Sequence, residues 1–183
     1  MNKKLVMFLL CFTTVAQAAD VIPDALRGDY VPKKGSDYSC DDVYLYDGVN
    51  QDGWRIEAKA MYQYEFMSEL IKNTGSKTPE GGFKGKFKNF YLDEQDSDDI
   101  KVLTPTPKGL IVEITEGKKR NKQEFTRCTV EDYKLAMRRV AAVIIGKPLM
   151  KKDIDFSREQ AIGIYNHYRE KPLYGLDPGS ISM

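Results

Sequence analysis

Trp54-Arg55-Ile56-Glu57-Ala58-Lys59-Ala60-Met61-Tyr62-Gln63-Tyr64-Glu65-Phe66 is the stretch on which the fold turns. Trp54, Ile56, Ala58, Ala60, Tyr62, Tyr64 and Phe66 share one parity and are apolar or aromatic. Arg55, Glu57, Lys59, Gln63 and Glu65 share the other, and only Met61 breaks the alternation. Successive side chains of a strand point to opposite faces, so the pattern predicts one half-buried β-strand through the whole stretch. Such a strand outruns the usual length of about five or six residues and belongs in a sheet that coils, as small barrels do.

Flanking segments supply partners. Asp42 to Tyr46 reads as a short strand, joined to the long one by the turn-rich Asp47-Gly48-Val49-Asn50-Gln51-Asp52-Gly53. Phe83 to Leu92 alternates Phe83, Gly85 and Phe87 against Lys84, Lys86 and Lys88. Ile100 to Leu103, Leu110 to Thr115 and Lys122 to Thr129 complete the set, with Thr104 to Gly109 and the basic Gly117 to Asn121 as links. Thr74 to Gly82 has the composition of a mobile loop. The expectation is a mainly β chain of α+β class, an antiparallel meander of about six or seven strands closing into a small barrel or curled sheet.

At Thr129 the period changes. Thr129-x-x-Asp132 is a capping box with Asp in place of Glu. Tyr133, Ala136, Met137, Val140, Ala141 and Ile144 then form a helical stripe that leaves Lys134, Arg138 and Arg139 off it and ends near Gly146. A second helix starts at the capping box Ser157-x-x-Gln160, carries Ala161, Ile164, Tyr165 and Tyr168, and stops at Lys171-Pro172. Leu173 to Met183 reads as an irregular tail. The domain division is therefore 19–130 for the β part and 131–183 for a helical extension packed on it.

The N-terminus has the three parts of an export signal. Lys3 and Lys4 are followed by an apolar run from Leu5 to Val15, and Ala16-Gln17-Ala18 offers small residues for cleavage after Ala18. The run falls short of the roughly 20 residues a spanning helix needs. Residues 1–18 are thus expected to leave as a signal peptide of bacterial type, sending the chain to the periplasm or beyond. Without Lys3 and Lys4 the charge falls from +1 to −1, leaving no bulk attraction for nucleic acid or an anionic membrane. Of three cysteines Cys11 leaves with the signal, and Cys40 with Cys128 is expected to form a disulfide in an oxidising compartment. Closing a loop of roughly ninety residues is worth about 4–5 kcal/mol on the chain-entropy account.

Candidate chemistry is sparse. His167 is the one histidine, no Gly-x-Ser-x-Gly occurs, and one imidazole cannot make a zinc site, so neither metal nor cofactor is expected. The aromatics Trp54, Tyr62, Tyr64, Phe87 and Tyr91 are candidates for lining a ligand cavity. Asp93, Glu94, Asp96, Asp98 and Asp99 form an acidic loop that could dock a basic partner, although their spacing does not match a calcium loop.

Gly28-x-Tyr30 near the start, with Arg127 near the end of the last strand, resembles the lipocalin arrangement. There a Gly-x-Trp opens the first strand and its ring packs under an Arg of the last. Tyr30 stands here in the place of the Trp, and the resemblance covers about 22–128. It implies a lipocalin-like barrel and a binding role. The expected function is that of an exported, non-enzymatic protein that binds a small amphipathic molecule or an envelope protein, as an inhibitor or immunity protein would. An envelope hydrolase using paired carboxylates or His167 is the alternative, and a structural envelope component the third.

Overall fold

A computed structural model of the protein describes residues 19–35, 39–45, 52–92, 94–151, 153 and 157–170. The expected signal peptide (1–18), the end of the expected strand at Tyr46, the link residues Asp47 to Gln51 and the expected tail lie outside them. The strands are β1 (Gly28–Pro32), β2 (Trp54–Ile56), β3 (Ala60–Gln63), β4 (Phe66–Leu70), β5 (Ser76–Lys77), β6 (Phe83–Tyr91), β7 (Glu94–Thr106), β8 (Gly109–Glu116) and β9 (Lys119–Arg127). Each pairs antiparallel with its neighbours in the order β4-β3-β2-β1-β9-β8-β7-β6, and β4 pairs with β6 to shut the ring. Eight strands therefore form a closed antiparallel meander barrel, and β5 adds a short edge to β6.

Inward positions follow the two-residue period. Phe83, Gly85, Phe87 and Asn89 are buried along β6 while Lys84 and Lys86 are exposed. Leu103, Leu110, Val112 and Phe125 fill the same interior from β7, β8 and β9. Gly85 is one of its fixed points: a Cβ there would come within 2.6 Å of Leu70 and 3.0 Å of the Phe83 ring. One end of the barrel is plugged. Residues Asp24–Leu26 form a 3-10 turn whose Leu26, with Ile22, is sealed in the core. Tyr30 donates its hydroxyl to the Leu26 carbonyl at 3.0 Å, and the Arg127 guanidinium lies 5.9 Å from the Tyr30 ring centre. Arg127 also donates to the carbonyls of Ala25 and Arg27, at 3.0 and 2.6 Å. Gly28 has φ +137°, a backbone conformation that calls for glycine, and a Cβ there would lie in ordinary contact with that guanidinium at 3.5 Å.

Outside the barrel stand α1 (Cys40–Val43), α2 (Val130–Ile144) and α3 (Arg158–Glu170). The capping boxes at Thr129 and Ser157 form as expected: Thr129 Oγ1 accepts from the Asp132 N–H, and Ser157 Oγ accepts from that of Gln160 at 3.1 Å. Tyr44 and Leu45 pack with Tyr133, Ala136, Val140 and Ala161 into a second apolar cluster. The disulfide Cys40–Cys128, with Cα atoms 5.1 Å apart, sits against Val31 on the outer side of β1. It joins the start of α1 to the residue before the N-cap of α2.

The structure corrects several expectations. The stretch 54–66 is not one strand: the chain reverses at Glu57–Lys59 and again at Tyr64–Glu65. Ile56 pairs with Met61, so the residue that broke the alternation is fully buried, and Tyr62 faces out beside Arg55. The apolar parity runs across both turns by coincidence. Asp42 to Val43 belongs to α1 rather than a strand, held by Ser39, whose backbone N–H donates to Asp42 at 3.0 Å. The acidic segment is not a loop but the start of β7, which also runs through Pro105 to Thr106. The 74–82 loop contains β5. Arg139 does not lie off the stripe: it is 1% exposed, bonded to Asp41, to Asp42 at 2.8 Å and to Asp153 at 2.6 Å.

The bridge yields the first prediction. Reduction should add two hydrogens to the intact mass, and a Cys40→Ser/Cys128→Ser variant should lose about 2–5 kcal/mol by urea denaturation. An unchanged midpoint would show that the apolar contacts of α1 and α2 suffice without it.

Candidate functional site

The barrel end opposite the plug opens into a cup of about 450 Å³. Its wall is Trp54 from β2, Phe66 from β4 and Ile114 from β8, and its floor is Asn89 and Asp99. Tyr64, Glu65, Tyr91, Asp96, Ser97 and Glu116 form the rim, contributed by the β3–β4, β6–β7 and β8–β9 ends. Those strands reach the rim because each hairpin turns at the same end of the meander. The volume lies in the range of small-molecule sites, about 300–1,000 Å³.

Beneath the floor is a buried polar network. Asp99 and Lys101 are two apart on β7 and therefore share the inner face. Lys101 is fully buried and donates to Asp99 Oδ2 and, at 3.2 Å, to Asn89 Oδ1. Ser68 Oγ donates to the same Asn89 oxygen at 2.8 Å, and Asn89 Nδ2 donates to the Ser97 carbonyl at 2.8 Å. The ammonium also lies 5.4, 5.8 and 5.9 Å from the ring centres of Phe87, Phe66 and Trp54, which surround it with π faces. Trp54 and Phe66 meet edge to face at 6.1 Å. Burial pushes the Lys101 pKa below lysine's ordinary value, and the Asp99 hydrogen bond and charge pull it back in part.

One atom of the network is unsatisfied. Asp99 is 6% exposed and lines the cup, yet its Oδ1 has no hydrogen-bond partner among the described residues. A buried acceptor without a donor is costly, and native proteins keep few of them. At the rim the carboxylates are held in place: Tyr91 donates its hydroxyl to Glu65 at 3.1 Å, and Ser97 donates its own to Glu116 at 2.6 Å. The Glu65 contact raises the Tyr91 pKa, which keeps the phenol a donor.

The residues singled out from sequence are distributed as follows. Trp54, Tyr64 and Tyr91 line the cup, Phe87 lies under its floor against Lys101, and Tyr62 is on the outer face. Of the acidic run, Asp96 and Asp99 line the cup, Asp98 pairs with Lys86 at 2.8 Å, Glu94 is exposed and Asp93 lies outside the described residues. His167 is half-buried on α3 and does not line the cup. Sequence reasoning passed over Lys101, Ser68, Asn89, Glu65, Ile114 and Glu116. For Lys101 a signal existed: opposite charges two apart, with the apolar Leu103 next on the same face.

The network can be tested through folding. Lys101→Met leaves the Asp99 charge buried alone and should cost about 3–5 kcal/mol, whereas Asp99→Leu/Lys101→Met should return to within about 1 kcal/mol of wild type by urea denaturation. The pH dependence has a definite sign. Below the lowered Lys101 pKa both folded and unfolded chains hold the proton, and the full burial cost is present. As pH climbs from that value toward 10.5 the folded chain sheds the proton first, so wild type should gain stability on the double variant across that alkaline window.

Comparison of the chain with family models, with curated proteins and with solved structures returns no match in any of the three.

Proposed function

We propose that the chain is an exported, lipocalin-like binding protein that holds a small amphipathic molecule in the open end of its barrel. The observation that carries this reading is the cup itself, an apolar wall over a polar floor whose Asp99 Oδ1 lacks a donor. A ligand with an apolar body and a polar end would cover Trp54, Phe66 and Ile114 and satisfy that oxygen. Further support comes from the plugged end, where Gly28, Tyr30 and Arg127 are arranged as the lipocalin resemblance implies. The Cys40–Cys128 bridge suits an oxidising compartment, and no helix among the described residues is long and apolar enough to cross a membrane.

A second reading, docking of a protein partner, draws on the rim. Tyr64, Tyr91 and Leu92 are 58%, 52% and 59% exposed at neighbouring hairpin ends. Aromatic side chains grouped in this way are common anchors at protein interfaces. The two readings differ in whether the cup must be empty for the partner to bind.

The chain's one tryptophan, Trp54, stands in the cup wall and reports occupancy directly. Titration with the neutral dye N-phenyl-1-naphthylamine should give saturable dye emission with matching loss of Trp54 emission. Ile114→Trp, which fills the cup, should abolish the dye signal while leaving the circular dichroism spectrum unchanged. Linear, unsaturable dye uptake by the wild type would sink the small-molecule reading.

A further inference from the structure

The charges lining the cup have one sign. Glu65, Asp96, Asp99 and Glu116 are carboxylates, and no lysine or arginine lines the cup among the described residues. Lys118 and Lys119, at the adjoining β8–β9 turn, are exposed and outside the lining. Lys101 lies below the floor with its donors directed to Asp99 Oδ2 and Asn89. An anionic ligand would meet repulsion from the rim carboxylates Glu65, Asp96 and Glu116, with no lining cation among the described residues to receive it. A positive group would meet attraction, focused by low-dielectric aromatic walls.

Two further features narrow the choice. The vacant acceptor, Asp99 Oδ1, is nine-tenths buried at the floor and asks for an N–H or O–H donor. Trp54, Tyr64, Phe66 and Tyr91 surround the space above it, and aromatic faces attract organic cations. A metal ion is the other cationic possibility, and its ligands would have to converge. Among the described residues no group of three or more potential ligands does so.

Resting on the reading of the cup as a ligand site, we infer that its ligand is a small organic cation: a primary or secondary ammonium on an aromatic or compact apolar body, its N–H donated to Asp99 Oδ1. The rim carboxylates Glu65 and Glu116, fixed by Tyr91 and Ser97, draw the ammonium in. Trp54, Phe66 and Ile114 cover the apolar body. The inward-facing ion pair below the floor holds Asp99 in place by its other oxygen, which leaves Oδ1 for the ligand.

The test uses the mature, oxidised chain and three probes of matched shape: phenethylamine, phenethyl alcohol and hydrocinnamate, each followed by Trp54 emission. Phenethylamine should bind saturably at neutral pH, at least about tenfold more tightly than hydrocinnamate, and less tightly as salt is raised. The exposed-rim variant Glu65→Gln/Asp96→Asn/Glu116→Gln should weaken the amine by roughly tenfold and leave the alcohol unchanged. Asp99→Asn should remove the preference for the amine over the alcohol. If that variant fails to fold, the rim variant carries the test alone. Equal or tighter binding of the alcohol or hydrocinnamate overturns the cation inference while the cup remains a ligand site. Dye binding without any response to phenethylamine overturns it in the same way. Loss of both dye and amine binding overturns the inference together with the proposed function.

Discussion

Eight strands closed into a ring enclose a volume that side chains must fill or leave open, and that demand governs the rest of this protein. At the plugged end it is met by apolar bulk: Ile22, Leu26, Phe83, Leu103 and Leu110 leave no exposed surface or almost none. Toward the other end the inner positions carry Asn89, Asp99 and Lys101 instead. A buried ion pair seldom stabilises a fold beyond what apolar residues of similar size would do. Its presence inside the ring is therefore better understood through the cup above it. Asp99 pairs with Lys101 through one oxygen and leaves the other without a partner among the described residues.

The helices answer a different constraint. They do not contribute to the ring, and their apolar cluster is distinct from the barrel core. Their attachment runs through α1, which is tied to β1 and β9 by the disulfide and to α2 by Arg139. One guanidinium serves three carboxylates there, from Asp41, Asp42 and Asp153, and its five N–H donors in a planar fork make it the one side chain suited to do so. Burial alone would lower the Arg139 pKa, but the hydrogen bonds to Asp153, Asp42 and Asp41 raise it above arginine's ordinary value. The covalent bridge at Cys40 and the ion cluster at Asp41 and Asp42 hold consecutive residues of α1, one to the barrel side and one to α2.

How far the sequence disclosed all this depends on the range of each signal. The barrel, both long helices with their capping boxes and the disulfide were legible, because alternation, capping and cysteine count are local or compartmental signals. The two reversals inside 54–66 were not. Their turns, Glu57-Ala58-Lys59 and Tyr64-Glu65, contain neither glycine nor proline, and the apolar parity carries across them. Only the pairing of Ile56 with Met61 reveals that Met61 belongs inside and Tyr62 outside. The acidic run misled for a related reason. Five acidic residues in a row of seven read as solvated loop, yet β6 pairs with Glu94, Gln95, Asp98 and Asp99 while β8 joins the strand only from Ile100, and backbone pairing decided the outcome. Arg139 falls off the apolar stripe in the sequence because a helix stripe records which residues are apolar, not where carboxylates from another element will arrive.

The sign of the cup was beyond the sequence for a more general reason. The mature chain is expected to be nearly neutral, so an acidic lining cannot be inherited from composition; it has to arise from placement. Glu65, Asp96, Asp99 and Glu116 come from three hairpin ends separated by up to half the β region, and each is an unremarkable residue in its own segment. Basic residues are as numerous nearby in sequence, at Lys84, Lys86 and Lys88 on β6 and at Lys118 to Arg120 on the β8–β9 turn. Strand parity turns the β6 lysines outward, where Lys86 meets Asp98. The Arg120 side chain is taken up by Glu113 at 2.5 Å. What remains facing the cup is carboxylate, and a neutral chain thereby presents a negative interior at the one open end of its barrel.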